Sequence, residues 1–147
     1  MDNNTRILIV DDDETIRTTM KAILEEEGYK VDLAGNGEEG IQKTNERAYN
    51  VALLDIRLPD MEGVQLLKLM KETLPRTRKI MVTGYPSTKN AIEALNKNAD
   101  AYLIKPVDIE KLLSTIKEQL RLQEEERKFS EEKVAEFIDS RVKDLSI

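Results

Sequence analysis

The stretch that most constrains this chain is Val51-Ala-Leu-Leu-Asp55-Ile-Arg57-Leu-Pro59-Asp-Met-Glu-Gly63, where four apolar residues run straight into a carboxylate and a Pro/Gly-bearing loop. A short, uninterrupted apolar run reads as a strand buried on both faces, as in a parallel sheet. Asp55 then stands where strand gives way to loop, the edge at which open α/β sheets bind ligands. Alone, an Asp there is an ordinary turn former. Its meaning depends on what the rest of the chain brings to the same edge.

Arg6-Ile-Leu-Ile-Val10 is a second such run, followed at once by Asp11-Asp12-Asp13-Glu14. Helical spacing then takes over at Ile16, Met20, Ile23 and Leu24 and stops at Gly28. Lys30 to Ala34 alternates, which suits an edge strand. Gly35 to Gly37 turns the chain into a helix running to about Arg47, anchored by Ile41. After the strand from Tyr49 to Asp55, the spacing predicts a helix from Gly63 to about Thr73 with Val64, Leu66, Leu67 and Met70 inward. Arg78 to Thr83 is the fourth strand, and Pro86-Ser87 opens a helix carrying Ala91, Ile92, Ala94 and Leu95. Ala101 to Ile104 is the fifth strand; Lys105-Pro106 leads to a last helix from Asp108, with Ile109, Leu112, Leu113, Ile116 and Leu120 on one face. Five strands alternating with five helices predict an α/β, doubly wound parallel sheet with right-handed crossovers.

Residues 123–133 are almost wholly charged and read as a solvated helical stretch or linker. Val134, Phe137, Ile138, Val142 and Leu145 then resume helical spacing and call for a partner surface. The net charge of -6, with no basic patch, argues against a nucleic-acid footprint. The residues beyond 121 are also too few for a DNA-binding domain of roughly 50 residues, so direct nucleic-acid binding is not expected. No apolar run approaches a membrane span and Met1 to Arg6 does not open a signal peptide, so no membrane insertion and a cytoplasmic location are expected. With no His and no Cys, imidazole bases, thiol catalysis and structural zinc are excluded. Chemistry falls to carboxylates, hydroxyls and lysines, with a hard metal if any.

Those groups sit at strand ends: Asp11 and Asp12 after the first strand, Asp55 at the third, Thr83 at the fourth, Lys105 after the fifth. In a sheet of order 2-1-3-4-5 the first and third strands are neighbours, and their terminal carboxylates converge on one crevice. Carboxylates crowded this way need a cation, and Mg²⁺ accepts a few of them while keeping waters and phosphate oxygens. Asp55 could then act as a nucleophile toward phosphorus, with the Lys105 ammonium and Thr83 hydroxyl meeting the peripheral oxygens.

Four ordered motifs now carry a resemblance: Ile-Leu-Ile-Val-Asp11-Asp12-Asp13-Glu-Thr-Ile-Arg17, Leu-Leu-Asp55-Ile-Arg-Leu-Pro59-Asp-Met-Glu-Gly63, Met-Val-Thr83-Gly84 and Ala-Tyr102-Leu-Ile-Lys105-Pro106. From residue 5 to about 121 the sequence resembles the receiver domain of two-component response regulators. The resemblance implies a flavodoxin-like sheet of order 2-1-3-4-5 in a receiver spanning 1–121, with 122–147 as a C-terminal helical extension. It implies that Asp55 is the phosphoacceptor, Asp12 a direct ligand of Mg²⁺ (or Mn²⁺), Asp11 a water-mediated one, and the Arg57 backbone carbonyl a further ligand. Thr83 becomes the switch hydroxyl, Tyr102 the switch aromatic and Lys105 the phosphate-binding ammonium, with Lys105-Pro106 cis. Asp13 is expected to cap the first helix, and Arg57 and Tyr85 to tune phosphate lifetime. The implied donor is a histidine kinase or histidine phosphotransfer protein; a chain without histidine cannot be that donor. Self-phosphorylation and slow autodephosphorylation are the only catalysis expected. The implied output is control of a partner or of self-association, as a homodimer through the face of the fourth helix, fifth strand and fifth helix together with the tail. Alternatively, the chain is the receiver fragment of a larger multidomain signalling protein.

Competing readings are weaker. Gly35-Asn-Gly37-Glu-Glu-Gly40 matches a dinucleotide fingerprint, but it follows the second strand and its two Glu residues would repel a pyrophosphate. Gly35 and Gly37 read as turn residues and Gly40 as close packing. A haloacid-dehalogenase-like phosphatase also uses Asp, Mg²⁺, Thr and Lys, but its nucleophile follows the first strand and a second Asp lies two residues on, where this chain has Arg57. A pure scaffold would leave the clustering of these residue types at strand ends unexplained.

Overall fold

The computed structural model of the chain describes residues 4–84 and 99–145. At its centre is strand β3, Val51–Asp55, with every residue buried. β1 (Arg6–Val10) and β4 (Arg78–Thr83) flank it, with β2 (Lys30–Ala34) and β5 (Ala101–Ile104) at the edges. All pairings are parallel, in the order β2-β1-β3-β4-β5. The central strands are buried nearly throughout while the edges mix buried and exposed positions, as expected of a sheet covered on both faces.

Strand alternation sorts the apolar residues into two cores. Leu8, Val10, Ala52 and Leu54 pack with Val64, Leu66, Leu67 and Met70 on one face. Ile7, Ile9, Val51, Leu53, Ile80 and Val82 pack with Met20, Leu24, Leu112 and Ile116 on the other. Helix α1 (Glu14–Glu26) is capped by Asp13, whose side chain accepts from Ile16 N at 3.1 Å, and the chain leaves it through Gly28 at φ 95°. Only glycine adopts that left-handed conformation cheaply. Helix α2 (Gly37–Glu46) is capped by Asn36. Helix α3 (Gly63–Leu69) is shorter than the predicted Gly63 to Thr73, because Met70 is already extended at ψ 139°. Pro75 further disfavours helix at Leu74. The predicted helix opening at Pro86-Ser87, and Tyr85, lie outside the described residues.

Helix α4 runs unbroken from Ile109 to Leu145. Leu112 and Ile116 are buried, but Ile109, predicted to share their face, is 52% exposed. One turn further on, Gln119 and Gln123 are buried against the N-terminal ends of the strands. Gln123 Nε2 donates to the carbonyls of Asn50 (3.0 Å) and Arg76 (2.8 Å), and its Oε1 accepts from Asn50 Nδ2. Arg78 donates to Gln119 Oε1 (2.9 Å) and Glu126 Oε2 (3.0 Å), and Arg76 grips Asp100 through two hydrogen bonds. The charged run is therefore not solvated where it begins: docking of α4 extends to Glu126. Beyond it the helix carries surface ion pairs such as Arg127 with Glu124 and Glu131, and exposes Phe129, Val134, Phe137, Ile138, Val142 and Leu145. Among the described residues no helix is long and apolar enough to cross a membrane.

Candidate functional site

The register brings four strand ends to one edge. Asp11 N donates to Ala34 O (3.1 Å), which prolongs the β1–β2 ladder by one residue and fixes Asp11 just beyond Val10. Its side chain is buried, Oδ1 accepts from Asp13 N (2.9 Å), and its carbonyl accepts from the Arg17 guanidinium (2.7 Å). Arg17, the last residue of the first matching motif, lies one helical turn into α1 and faces back toward the strand end. Asp55 closes β3, and its Oδ1 accepts from Arg57 N (3.3 Å). Gly63 makes room for this turn, since a Cβ there would lie 2.4 Å from Asp55 O. Lys105 N donates to Thr83 O (2.8 Å), so β5 delivers its lysine beside the end of β4. Lys105 Nζ then reaches Asp11 Oδ2 at 2.9 Å and Asp55 Oδ2 at 3.3 Å. Thr83 is buried at the same edge, and Lys105-Pro106 is cis.

Asp11, Asp12 and Asp55 each offer a carboxylate oxygen, all within 4.8 Å of one another. One ammonium faces three carboxylates, so the cluster keeps an acidic surplus. Burial pushes the Asp55 carboxyl up, Lys105 opposes that and the Asp11 charge adds to it; the net result is above the ordinary carboxylate value. Burial pulls Lys105 down, but its hydrogen bond to Asp11 and the charges of Asp55 and Asp11 outweigh it and hold the ammonium above its usual range. Clustered oxygen donors with surplus negative charge fit a hard divalent cation. A cleft of about 450 Å³ opens over them, lined by Asp12, Asp55, Ile56, Arg57, Thr83, Gly84 and Lys105. Among the described residues predicted for the site, Tyr102 alone stands apart: it lies on edge strand β5 opposite Met81 and is 43% exposed.

The family model for the response regulator receiver domain matches residues 7–117. The chain belongs to the response regulator receiver domain family. The receiver is 41% identical over 114 residues to the transcriptional regulatory protein ZraR of Klebsiella oxytoca, a match covering 78% of this chain and 26% of that protein. The chain thus spans about a quarter of the length of the first curated relatives it matches. Among solved structures, a CheY-like receiver domain protein from Methanospirillum hungatei JF-1 superposes with a TM-score of 0.78 at 51% identity, covering 83% of this chain and 98% of that one. A response regulator from Burkholderia pseudomallei, solved with a phosphorylated aspartic acid and a calcium ion, aligns with a TM-score of 0.69 at 29% identity over 84% of this chain and 73% of that one. The receiver fold also explains the fingerprint-like segment. A Cβ on Gly40 would meet Val10 Cγ2 at 3.1 Å, the predicted close packing. Gly37 is less a turn residue than a close approach, because a Cβ there would lie 2.4 Å from Met61 Sδ.

Proposed function

We propose that Asp55 is the phosphoacceptor of this receiver and that the charge state of the cleft switches its output. The observation that carries this reading is the Asp11, Asp12 and Asp55 cluster, with Lys105 bridging Asp11 and Asp55, beneath an open cleft. An Asp55 carboxylate oxygen attacks the phosphorus of a phosphohistidine on a kinase or phosphotransfer protein. The O–P bond forms as the P–N bond breaks, and the imidazole leaves with the electron pair and is reprotonated from solvent. A divalent cation, Mg²⁺ or Mn²⁺, would be held by Asp11, Asp12, Asp55 and the Arg57 carbonyl, and would supply charge neutralisation. Lys105 moves from bridging two carboxylates to meeting a phosphoryl oxygen, and the Thr83 hydroxyl donates to another. Tyr102, exposed on β5, is positioned to turn inward as Thr83 shifts, which reshapes the edge that α4 follows. The Arg57 side chain beside the cleft tunes how long the acyl phosphate survives by controlling water access.

The reaction is stoichiometric, with slow autodephosphorylation as its only turnover, and takes place in the cytoplasm. One phosphoryl group consumed per chain supports this; sustained hydrolysis of added phosphoesters would show a phosphatase instead. For output we propose a receiver of residues 1–121 and a helical extension of 122–147 whose first turns are docked by Gln123 and Glu126. Its exposed Phe129, Val134, Phe137 and Ile138 favour pairing with a second copy. Sedimentation with and without beryllofluoride tests this, and identical association in both states would disprove the coupling.

A further inference from the structure

The loop between β3 and α3 carries Arg57, and it is folded tightly on itself. Leu58 N donates to Met61 O (3.1 Å), Gly63 N to Ile56 O (2.6 Å), and Arg57 forms an isolated antiparallel bridge with Glu62. Asp60, at the tip, reaches out to another element: its Oδ1 accepts from Gly37 N at 2.8 Å and its Oδ2 from Glu38 N at 2.9 Å. These are the first amides of α2, which have no acceptor within their own helix and sit at the positive end of its dipole. The same two bonds hold the Asp60 carboxyl below its ordinary range. Met61 seats beside them on Gly37, in the space a Cβ there would take. The segment that mimics a phosphate-binding fingerprint thus already has its helix terminus filled by a carboxylate of this chain.

We infer that Asp60 is a positioning residue that ties the β3–α3 loop to α2 and thereby sets where the Arg57 carbonyl meets the cation. The inference rests on the proposed metal site and adds a device to it. A purely local cap would serve α2 equally well, and one exists: Asn36 accepts from Glu39 N at 2.8 Å. What Asp60 contributes beyond that cap is a connection to a loop 22 or 23 residues away.

Calorimetric titration of the full chain with Mg²⁺ separates these roles. Asp60→Ala is expected to raise the Mg²⁺ dissociation constant about tenfold, the low end of the effect of outer-shell partners on metal affinity. Asp60→Asn, which keeps a carbonyl acceptor, should restore part of the loss, and it serves equally if the alanine variant folds poorly. Asn36→Ala weakens the same helix terminus without touching the loop, and should bind Mg²⁺ like the wild type. Wild-type affinity in Asp60→Ala, or an equal loss in Asn36→Ala, would overturn the inference while leaving the metal site intact. A wild-type chain that takes up no Mg²⁺ would sink both.

Discussion

The two ends of β4 hold buried charge in opposite ways. At the N-terminal end, Arg76 and Arg78 face Asp100 and Glu126, charge matches charge, and the remaining hydrogen-bonding capacity goes to Gln119, while Gln123 and Asn50 close the gap beside them. At the C-terminal end, three carboxylates cluster, one lysine pairs with two of them, and a cleft stays open. A balanced, closed network holds elements together, and breaking it leaves an uncompensated charge. An unbalanced, open one marks a place where an ion or ligand completes the structure. The same strand therefore anchors a helix at one end and borders the proposed phosphoryl-accepting site at the other.

Breaking the closed end should have the largest effect. Asp100→Ala removes both hydrogen bonds of Arg76 and the acceptor of the Lys79 amide, and is expected to cost about 3 kcal/mol in urea unfolding; a cost near that of a surface substitution would mean the network is no clamp. Gly63→Ala tests the rigidity of the open end, where a Cβ would collide with Asp55 O. About 2 kcal/mol of overpacking is expected in the same assay. Gln123→Ala takes the side-chain donor from the Arg76 carbonyl and leaves the Asn50 carbonyl with the Arg78 amide alone, which should cost about 1.5 kcal/mol. The smallest effect carries the opposite sign. Because burial raises the Asp55 pKa in the fold, its ionised form opposes folding above that pKa and the penalty disappears below the unfolded value. Asp55→Asn should therefore stabilise the metal-free protein at neutral pH, with the gain fading in acid. Added Mg²⁺ should stabilise the wild type and not the variant, since a ligand that binds only the folded state adds to its stability.

The open end was readable in the sequence to a degree the closed end was not. Asp11, Asp55, Thr83 and Lys105 each terminate a visible apolar run, so their meeting at one edge follows from parallel topology once the strand order is supplied, and that order came from resemblance. Arg76, Arg78 and Asp100 look like ordinary surface charges, because nothing local says that helix residues 41 and 48 positions past Arg78 will meet it. Gln123 and Glu126 were hidden in a charged run for the same reason, although Gln123 is only 5% exposed. The Asp60 tether depends on two loops meeting across 22 or 23 residues, which no periodicity records. The early end of α3 reflects the route the chain takes to β4, not the propensity of residues 70–73.

The most direct test is intact mass spectrometry of the chain after incubation with a small-molecule phosphodonor. With Mg²⁺ present, one phosphoryl group per chain is expected, mapping to the peptide that holds Asp55 and absent both with chelator and in Asp55→Asn. An adduct that persists in Asp55→Asn or without a divalent cation, or a wild-type chain that never acquires one, would contradict the assignment of the carboxylate cluster as the phosphoryl-accepting site.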